Sequence, residues 1–366
     1  MIYSPSPTFK ILPLVQVNFD EAEIDIQSIR NLCSDGLSIN CPPEDRALAW
    51  LNLLSIYPAN PQHWATVCKT ILKSYNNFTT NFSLKNSATD EKLISCIKSD
   101  IKRSKHQLYY LINRDGNKCR TLDEEMELEA HMKRIERILF IFAKVNPKLS
   151  YIQGFNELII PIYYVMHSAI NIFFENIDYV EAISYEAFQF LFISSDLKDF
   201  FNINLSLCEN KISPFDQLLN RQLPKTYKKL KLLNIKSIQY AYKWFNIMFS
   251  QEHSLLNLLP LWDSLFSHLN NLSLFEYCIG VARIMAVHKK IEYDYPDIKS
   301  KYSLKNNSND VQNGYALGQI LSILCNIQIP DIYSLIKQAN IIFNNISGNS
   351  NGEKNKILKH FFSHRH

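Results

Sequence analysis

The stretch that decides the fold runs from Leu122 to Val165 and reads LDEEMELEAHMKRIERILFIFAKVNPKLSYIQGFNELIIPIYYV. Its first part predicts a long helix, because acidic residues occupy the first turn and Pro147 follows the last. One apolar face recurs there at helical spacing and consists of Met126, Ala130, Ile135, Ile138, Leu139 and Phe142. From about Asn156 a second segment is apolar almost all round, which predicts a buried central helix.

An uncharged pair, Gln153-Gly154, separates these two predicted helices. A glutamine amide inside a protein core must find several hydrogen-bond partners, because its burial otherwise costs free energy. The residues alone leave two alternatives: Gln153 is satisfied by the fold, or it faces a ligand.

The rest of the chain also has the composition of a helical protein. It has 366 residues, of which 46% are hydrophobic and only 8 are glycine, and strand signals are nearly absent. Apolar segments with helical spacing continue from Tyr179 to Phe343, so the sequence predicts an all-α fold. The polar stretch 73–91, KSYNNFTTNFSLKNSATDE, is predicted to be a surface insertion or linker.

Several functional classes are disfavoured by composition and motifs. The formal net charge of +4 is too balanced for a dedicated nucleic-acid binder, so we expect no nucleic-acid partner. The 8 scattered cysteines and the absence of a secretory signal predict a cytoplasmic protein. No phosphate-binding loop is present, and we expect no metal site, because His360 and His364 stand in a basic tail without further ligands. The basic stretch 223–236, LPKTYKKLKLLNIK, predicts a solvated lysine face, with contact to an anionic membrane surface as a second option.

A charged pair upstream is a candidate for chemistry. Asp100 and Arg103 stand three apart in a predicted helix, so the carboxylate can hold the guanidinium by an i,i+3 contact. A surface ion pair would explain this spacing equally well, and the pattern Ile97-x-x-Asp100-x-x-Arg103 is weak evidence alone.

Four features in a fixed order are more specific. They are PPEDRALAWLNLL with Arg46 and Trp50, the pattern from Ile97 to Arg103, the group Tyr151-x-Gln153-Gly154, and LPLWDSLF with Trp262 and Asp263. This succession resembles the TBC domain, a family of GTPase-activating proteins for Rab GTPases, and the resemblance covers about 29–343. The sequence of the segment IQGFNELIIPIYYV is most similar to the branch called TBC domain family member 13.

The resemblance implies a helical TBC fold with two subdomains. Its expected limits are an N-terminal extension at 1–28, an N-terminal subdomain at 29–175, a C-terminal subdomain at 176–345 and a basic tail at 346–366. It also implies a function, activation of GTP hydrolysis by a GTP-bound Rab-family GTPase in vesicle trafficking. The partner would carry GTP and Mg²⁺, and this chain would need no cofactor of its own. As an activator it would complete the GTPase site in trans, after recruitment to endomembranes.

By position in the motifs, the family's arginine finger is Arg103 and its glutamine finger is Gln153. Asp100 is expected to orient its helix or to pair with a cation such as Arg46, and Tyr151 either bonds near the site or packs. Gly154 is expected to allow a close backbone approach. Asn156 is a further site candidate, whereas Trp50, Trp262 and Asp263 are expected to determine the fold.

Two departures from the family pattern lie next to these residues. SKHQ follows Arg103 where the family usually has Thr and then Phe-Pro or Leu-Pro, and Glu157 stands where Asp is common. Two other interpretations remain open. One is a TBC-fold protein that binds a Rab as a catalytically silent effector or scaffold, and the other is a helical scaffold with no GTPase preference.

Overall fold

A computed structural model describes residues 23–83, 88–113, 115–195, 197–201, 205–293 and 307–347. Within these ranges the regular structure is helical and no strand occurs, which confirms the predicted all-α fold. In chain order the α-helices are α1 (Ile26–Ser34), α2 (Pro43–Leu53), α3 (Trp64–Ser83), α4 (Ala88–Arg103), α5 (Lys105–Leu108), α6 (Leu122–Val145), α7 (Phe155–Ser168), α8 (Ile177–Ser194), α9 (Leu205–Gln222), α10 (Pro224–Leu232), α11 (Tyr242–Asn246), α12 (Leu255–Ser267), α13 (Leu272–Tyr293), α14 (Asn307–Cys325) and α15 (Ile332–Ser347).

The chain divides into two compact units. Unit 1 comprises the described residues up to Lys198 together with 247–270, and unit 2 comprises those from 199 to 246 and from 271 onward. The predicted boundary near Glu175 lies inside unit 1, because α8 packs against α3, α6 and α7. Most of the predicted extension at 1–28 and tail at 346–366 lies outside the described residues, and the predicted subdomain limits stay a prediction.

The two helices of the opening stretch form much of the core of unit 1. Thr121 begins α6 with a capping box to Glu124, and α7 is buried along most of its length, as predicted. The predicted face of α6 is wrong at its start, because Met126 is 62% exposed and Ala130 is also exposed. Met126 and Ile135 are about two and a half turns apart and therefore point to opposite sides. The buried side begins at Leu128 instead.

The predicted linker at 73–91 is helical for most of its length. α3 continues to Ser83 and α4 begins at Ala88, so only 84–87 lie outside the described residues. Tyr75 is buried and donates a hydrogen bond of 2.7 Å from its hydroxyl to Glu181. Although Asn and Thr are frequent in this stretch, apolar residues recur in it at helical spacing, and the helix therefore continues.

A buried carboxylate in unit 1 joins α12 to α2 and to the segment after α1. Asp263 is fully buried, and the Nε of Arg46 lies 3.2 Å from each of its carboxylate oxygens. Trp50 Nε1 and the Leu37 N–H donate to the same carboxylate at 2.6 and 3.0 Å. Burial raises the pKa of Asp263, and the charge of Arg46 and these hydrogen bonds oppose the rise.

This arrangement corrects one predicted pairing. Arg46 pairs with Asp263 and not with Asp100, because α2 faces α12 and its guanidinium is already occupied there. Trp262 is fully buried beside Trp50, with ring centroids 5.9 Å apart. These contacts support the predicted role of both tryptophans and Asp263 in the fold, and they give Arg46 the same role.

We expect Asp263→Asn to lower the free energy of unfolding of unit 1 by about 3–5 kcal/mol, because the buried Arg46 loses its counter-charge. Urea denaturation followed by circular dichroism measures the loss. Asp178→Asn is the matched control, since Asp178 is 62% exposed and pairs with Arg134 at the surface. It should cost at most about 1 kcal/mol. Equal losses in the two variants would contradict the structural importance of the buried pair.

Candidate functional site

The loop between α6 and α7 presents Gln153 to solvent. Two residues with positive φ enclose the loop, Ser150 at 55° and Gly154 at 109°. Gly154 is buried at the start of α7, and this backbone conformation favours glycine. Gln153 is exposed, and its side chain makes no hydrogen bond to any described residue. The sequence left two alternatives for Gln153. Its exposure excludes the one in which the fold buries the amide and satisfies its hydrogen bonds.

Arg103 is the last residue of α4, and its side chain is 59% exposed. Its Nη2 forms an ion pair with Asp100, whose side chain is only 2% exposed. Its Nη1 donates a hydrogen bond of 3.2 Å to the hydroxyl of Ser99. The guanidinium is therefore held from its buried side and remains accessible on the other.

Tyr151 connects the Gln153 loop to the helix of Arg103. Its hydroxyl donates a hydrogen bond of 2.7 Å to the second carboxylate oxygen of Asp100. A tyrosine hydroxyl is protonated at neutral pH and can act as the donor, and burial raises the pKa of Tyr151 further. Asp100 thus contacts both Arg103 and Tyr151, and Tyr151 stands two residues before Gln153.

A buried polar cluster lies beneath these residues. Asn156 Oδ1 accepts a hydrogen bond of 3.2 Å from the Gly154 N–H, and Asn156 Nδ2 donates to Ser104 Oγ at 2.8 Å. Ser104 Oγ in turn donates to Glu157, which also accepts from Gln107 Nε2 at 2.9 Å. These bonds tie the start of α7 to the end of α4 and to α5, so they fix the loop relative to Arg103.

The sequence analysis missed Ser104, Gln107 and Glu157 as members of this cluster. A signal was present, because all three stand at the departures from the family pattern, SKHQ after Arg103 and Glu at 157. Ser104 and Gln107 supply the two hydrogen bonds that a carboxylate at 157 accepts from this segment. These three departures from the family pattern are therefore joined by hydrogen bonds to the same carboxylate.

The described residues contain no group of three or more His, Cys, Asp or Glu side chains placed to hold a metal ion. His360 and His364 lie outside the described part of the chain. In the part of the chain that the structure describes, no helix combines the length and the hydropathy that spanning a membrane requires.

Chemically, this site offers two complementary groups on a rigid base. A guanidinium is planar, always charged and able to donate parallel hydrogen bonds to phosphate oxygens. A carboxamide donates and accepts at once and stays neutral at working pH. Both groups are exposed here, whereas Asp100 and Asn156 beneath them are buried and Tyr151 is half-buried.

The family model described as the Rab-GTPase-TBC domain matches residues 44–292 of this chain. The chain belongs to this family. The TBC match contains all of the residues that the motifs singled out, from Arg46 to Asp263.

Individual relatives agree with the TBC assignment. The chain is 32% identical to TBC1 domain family member 13 of Homo sapiens over 167 residues, 44% of this chain and 40% of the relative. The mouse protein of that name matches similarly, at 32% over 163 residues. Both matches confirm the resemblance to this branch. TBC1 domain family member 22A of Homo sapiens is 24% identical over 75% of this chain and 52% of its own length. The matches with these curated relatives thus cover about half of the relative's own length or less.

A solved structure supports the TBC fold. The crystal structure of the Ypt/Rab-GAP domain of Gyp1p aligns with a TM-score of 0.65, covering 88% of this chain and 94% of that chain. At 19% sequence identity, this likeness establishes the fold alone. The chemistry has to be argued from the residues of this chain.

Proposed function

We propose that this protein accelerates GTP hydrolysis by a Rab-family GTPase, using Arg103 as an arginine finger and Gln153 as a glutamine finger in trans. Membership of the TBC family supports the partner class. The observation that carries the proposal is the connection of the two exposed residues through Asp100 and Tyr151. The partner is the GTP-bound form and carries GTP and Mg²⁺, and this chain acts as an activator without a cofactor of its own.

The requirements of phosphoryl transfer match these two groups. Hydrolysis of GTP needs charge stabilisation at the phosphate oxygens and an oriented attacking water. The guanidinium of Arg103 supplies the charge, and the amide of Gln153 positions the water in place of the water-positioning glutamine of the GTPase. Asp100 holds the guanidinium ready, so little ordering remains for the moment of contact.

The cellular setting forms part of the same proposal. We place the protein in the cytoplasm, recruited to endomembranes, where it acts in vesicle trafficking. Two exposed polar groups fit a protein that completes the site of a partner.

A phosphate-release screen tests the proposal. A panel of GTP-loaded Rab GTPases is mixed with the wild-type chain, with Arg103→Ala and with Gln153→Ala. At least one Rab should hydrolyse GTP faster with the wild type and lose the stimulation with either variant. GTP-dependent binding without stimulation of any Rab would favour the silent effector, and no GTPase preference at all would favour a helical scaffold.

We expect Tyr151→Phe to lower the maximal stimulated rate about tenfold, because Asp100 loses a hydrogen bond and Arg103 loses part of its orientation. Single-turnover rates at several concentrations of the activator separate the maximal rate from the apparent affinity. Tyr109→Phe is the control, since the Tyr109 hydroxyl has no hydrogen bond within the described part of the chain. A merely structural Tyr151 would instead lower the melting temperature and leave the maximal rate of the folded protein unchanged.

A further inference from the structure

In unit 2, α10 carries a strongly basic surface that the proposed GTPase chemistry does not use. Its nine residues read PKTYKKLKL, with four lysines and no acidic residue. Lys225, Lys228 and Lys231 are exposed and make no ion pair with any described residue. The sequence contains no Asp or Glu from Arg221 through Gln251, so the basic surface is not offset by acids along the chain.

An apolar side chain stands within this basic surface. Leu232 ends α10 and is 48% exposed. It follows Lys228 by about one turn and Lys225 by about two turns, so the three share one side of the helix. Thr226 and Leu230 are buried on the other side. We call Lys225, Lys228, Lys231 and Leu232 the lysine face.

The body of unit 2 holds this helix rigidly. α10 packs against α9 and α13. From its inner side, Lys229 donates a hydrogen bond of 2.8 Å to the carbonyl oxygen of Glu292, and the Thr226 hydroxyl donates to the Glu292 carboxylate at 2.6 Å. The lysine face is therefore presented by a fixed helix.

A cavity next to α10 helps to decide whether an anion would bind in a pocket or at the surface. It has a volume of about 340 Å³ and lies beside Lys231 and Lys236. Glu209 and Asp216 also line it, and Glu209 already pairs with Lys236 at 3.3 Å. Two carboxylates disfavour an anionic headgroup inside the cavity, so binding would occur at the surface and would depend on charge density.

We propose that the lysine face docks on an anionic membrane surface, with the lysines at the headgroups and Leu232 inserted between them. Basic residues are attracted to the negative surface potential of such a membrane, and an apolar residue among them adds buried area. Nucleic acid fits less well, because Leu232 has no counterpart on a phosphate backbone and the face carries no exposed aromatic residue for stacking. This inference deepens the proposed recruitment to membranes by naming the surface, and it uses only residues of unit 2.

Vesicle flotation of the full chain tests it. The vesicles contain phosphatidylcholine alone, phosphatidylcholine with phosphatidylserine, or phosphatidylcholine with phosphatidylglycerol at equal negative charge. The chain should bind both anionic vesicles equally, should ignore the neutral one, and should dissociate as ionic strength rises. The triple variant Lys225→Gln, Lys228→Gln, Lys231→Gln should bind about 100-fold more weakly. Leu232→Ser should weaken binding roughly fivefold.

The control variant removes the same charge elsewhere, by Lys69→Gln, Lys73→Gln and Lys92→Gln at exposed positions of unit 1. It should bind vesicles within about threefold of the wild type. Equal weakening by both triple variants, binding to one headgroup only, no vesicle binding, or tighter binding to RNA than to vesicles would overturn the inference. Stimulated hydrolysis of a soluble Rab should survive the α10 triple variant, so vesicle binding and GTPase activation can fail separately. Its loss would assign the lysine face to the GTPase contact and overturn the membrane inference.

Discussion

Arg103→Ala is expected to lower Rab GTP hydrolysis stimulated by this protein by about 10³- to 10⁵-fold. This range corresponds to about 4–7 kcal/mol of transition-state stabilisation. The exposed guanidinium is held by an ion pair to the buried Asp100 and by a hydrogen bond to Ser99, so its orientation is set before the GTPase arrives. Single-turnover phosphate release at a saturating concentration of the activator gives the rate directly.

Arg103→Lys should lose nearly as much activity as Arg103→Ala. An ammonium keeps the charge and can still pair with Asp100, but it cannot donate two parallel hydrogen bonds to phosphate oxygens. This variant separates catalysis from stability, because Asp100 keeps a cationic neighbour and the melting temperature should stay close to that of the wild type. Arg221→Ala removes an exposed arginine from the last turn of α9 and serves as the control. Stimulation by Arg103→Ala within about threefold of the wild type would exclude Arg103 as the finger.

The fold and the two candidate finger residues could be predicted from the sequence because the signals are local. The capped helix α6, the apolar helix α7 and the glycine between them follow from residues within a few turns of one another. The motif order then singled out Arg103 and Gln153, and several hydrogen bonds join the segments that carry them, among them the one between Tyr151 and Asp100.

What the sequence could not predict depends on contacts between distant segments. The sequence suggested Asp100 as a partner of Arg46, and only the packing of α2 against α12 shows that the partner is Asp263. Likewise, Ser104 and Glu157 stand 53 residues apart, so their hydrogen bond cannot be recognised from spacing. The exposure of Gln153 was also left open by the sequence, but for a local reason: it lies in a short loop in which Ser150 and Gly154 have positive φ.

Gln153→Ala is expected to reduce stimulated hydrolysis by about 10³-fold or more while binding of the GTP-loaded Rab is largely retained. In the proposed mechanism the amide orients the attacking water, so its contribution belongs to the transition state and not to the ground-state complex. The melting temperature should not change, because Gln153 is exposed and its side chain makes no hydrogen bond to any described residue. Fluorescence anisotropy with a Rab loaded with a non-hydrolysable GTP analogue measures binding, and single-turnover phosphate release measures the rate.

Gln153→Glu strengthens this test because it preserves the shape of the side chain. A carboxylate accepts hydrogen bonds but cannot donate one, and its charge opposes the γ-phosphate, so the rate should fall as far as in Gln153→Ala. Gln319→Ala, at an exposed position of α14, is the control and should leave the rate unchanged. A fall in the melting temperature together with a normal rate per folded molecule would assign Gln153 to the fold. A parallel loss of binding and rate would make it a docking residue, and only a loss of rate with binding retained is consistent with a glutamine that positions water.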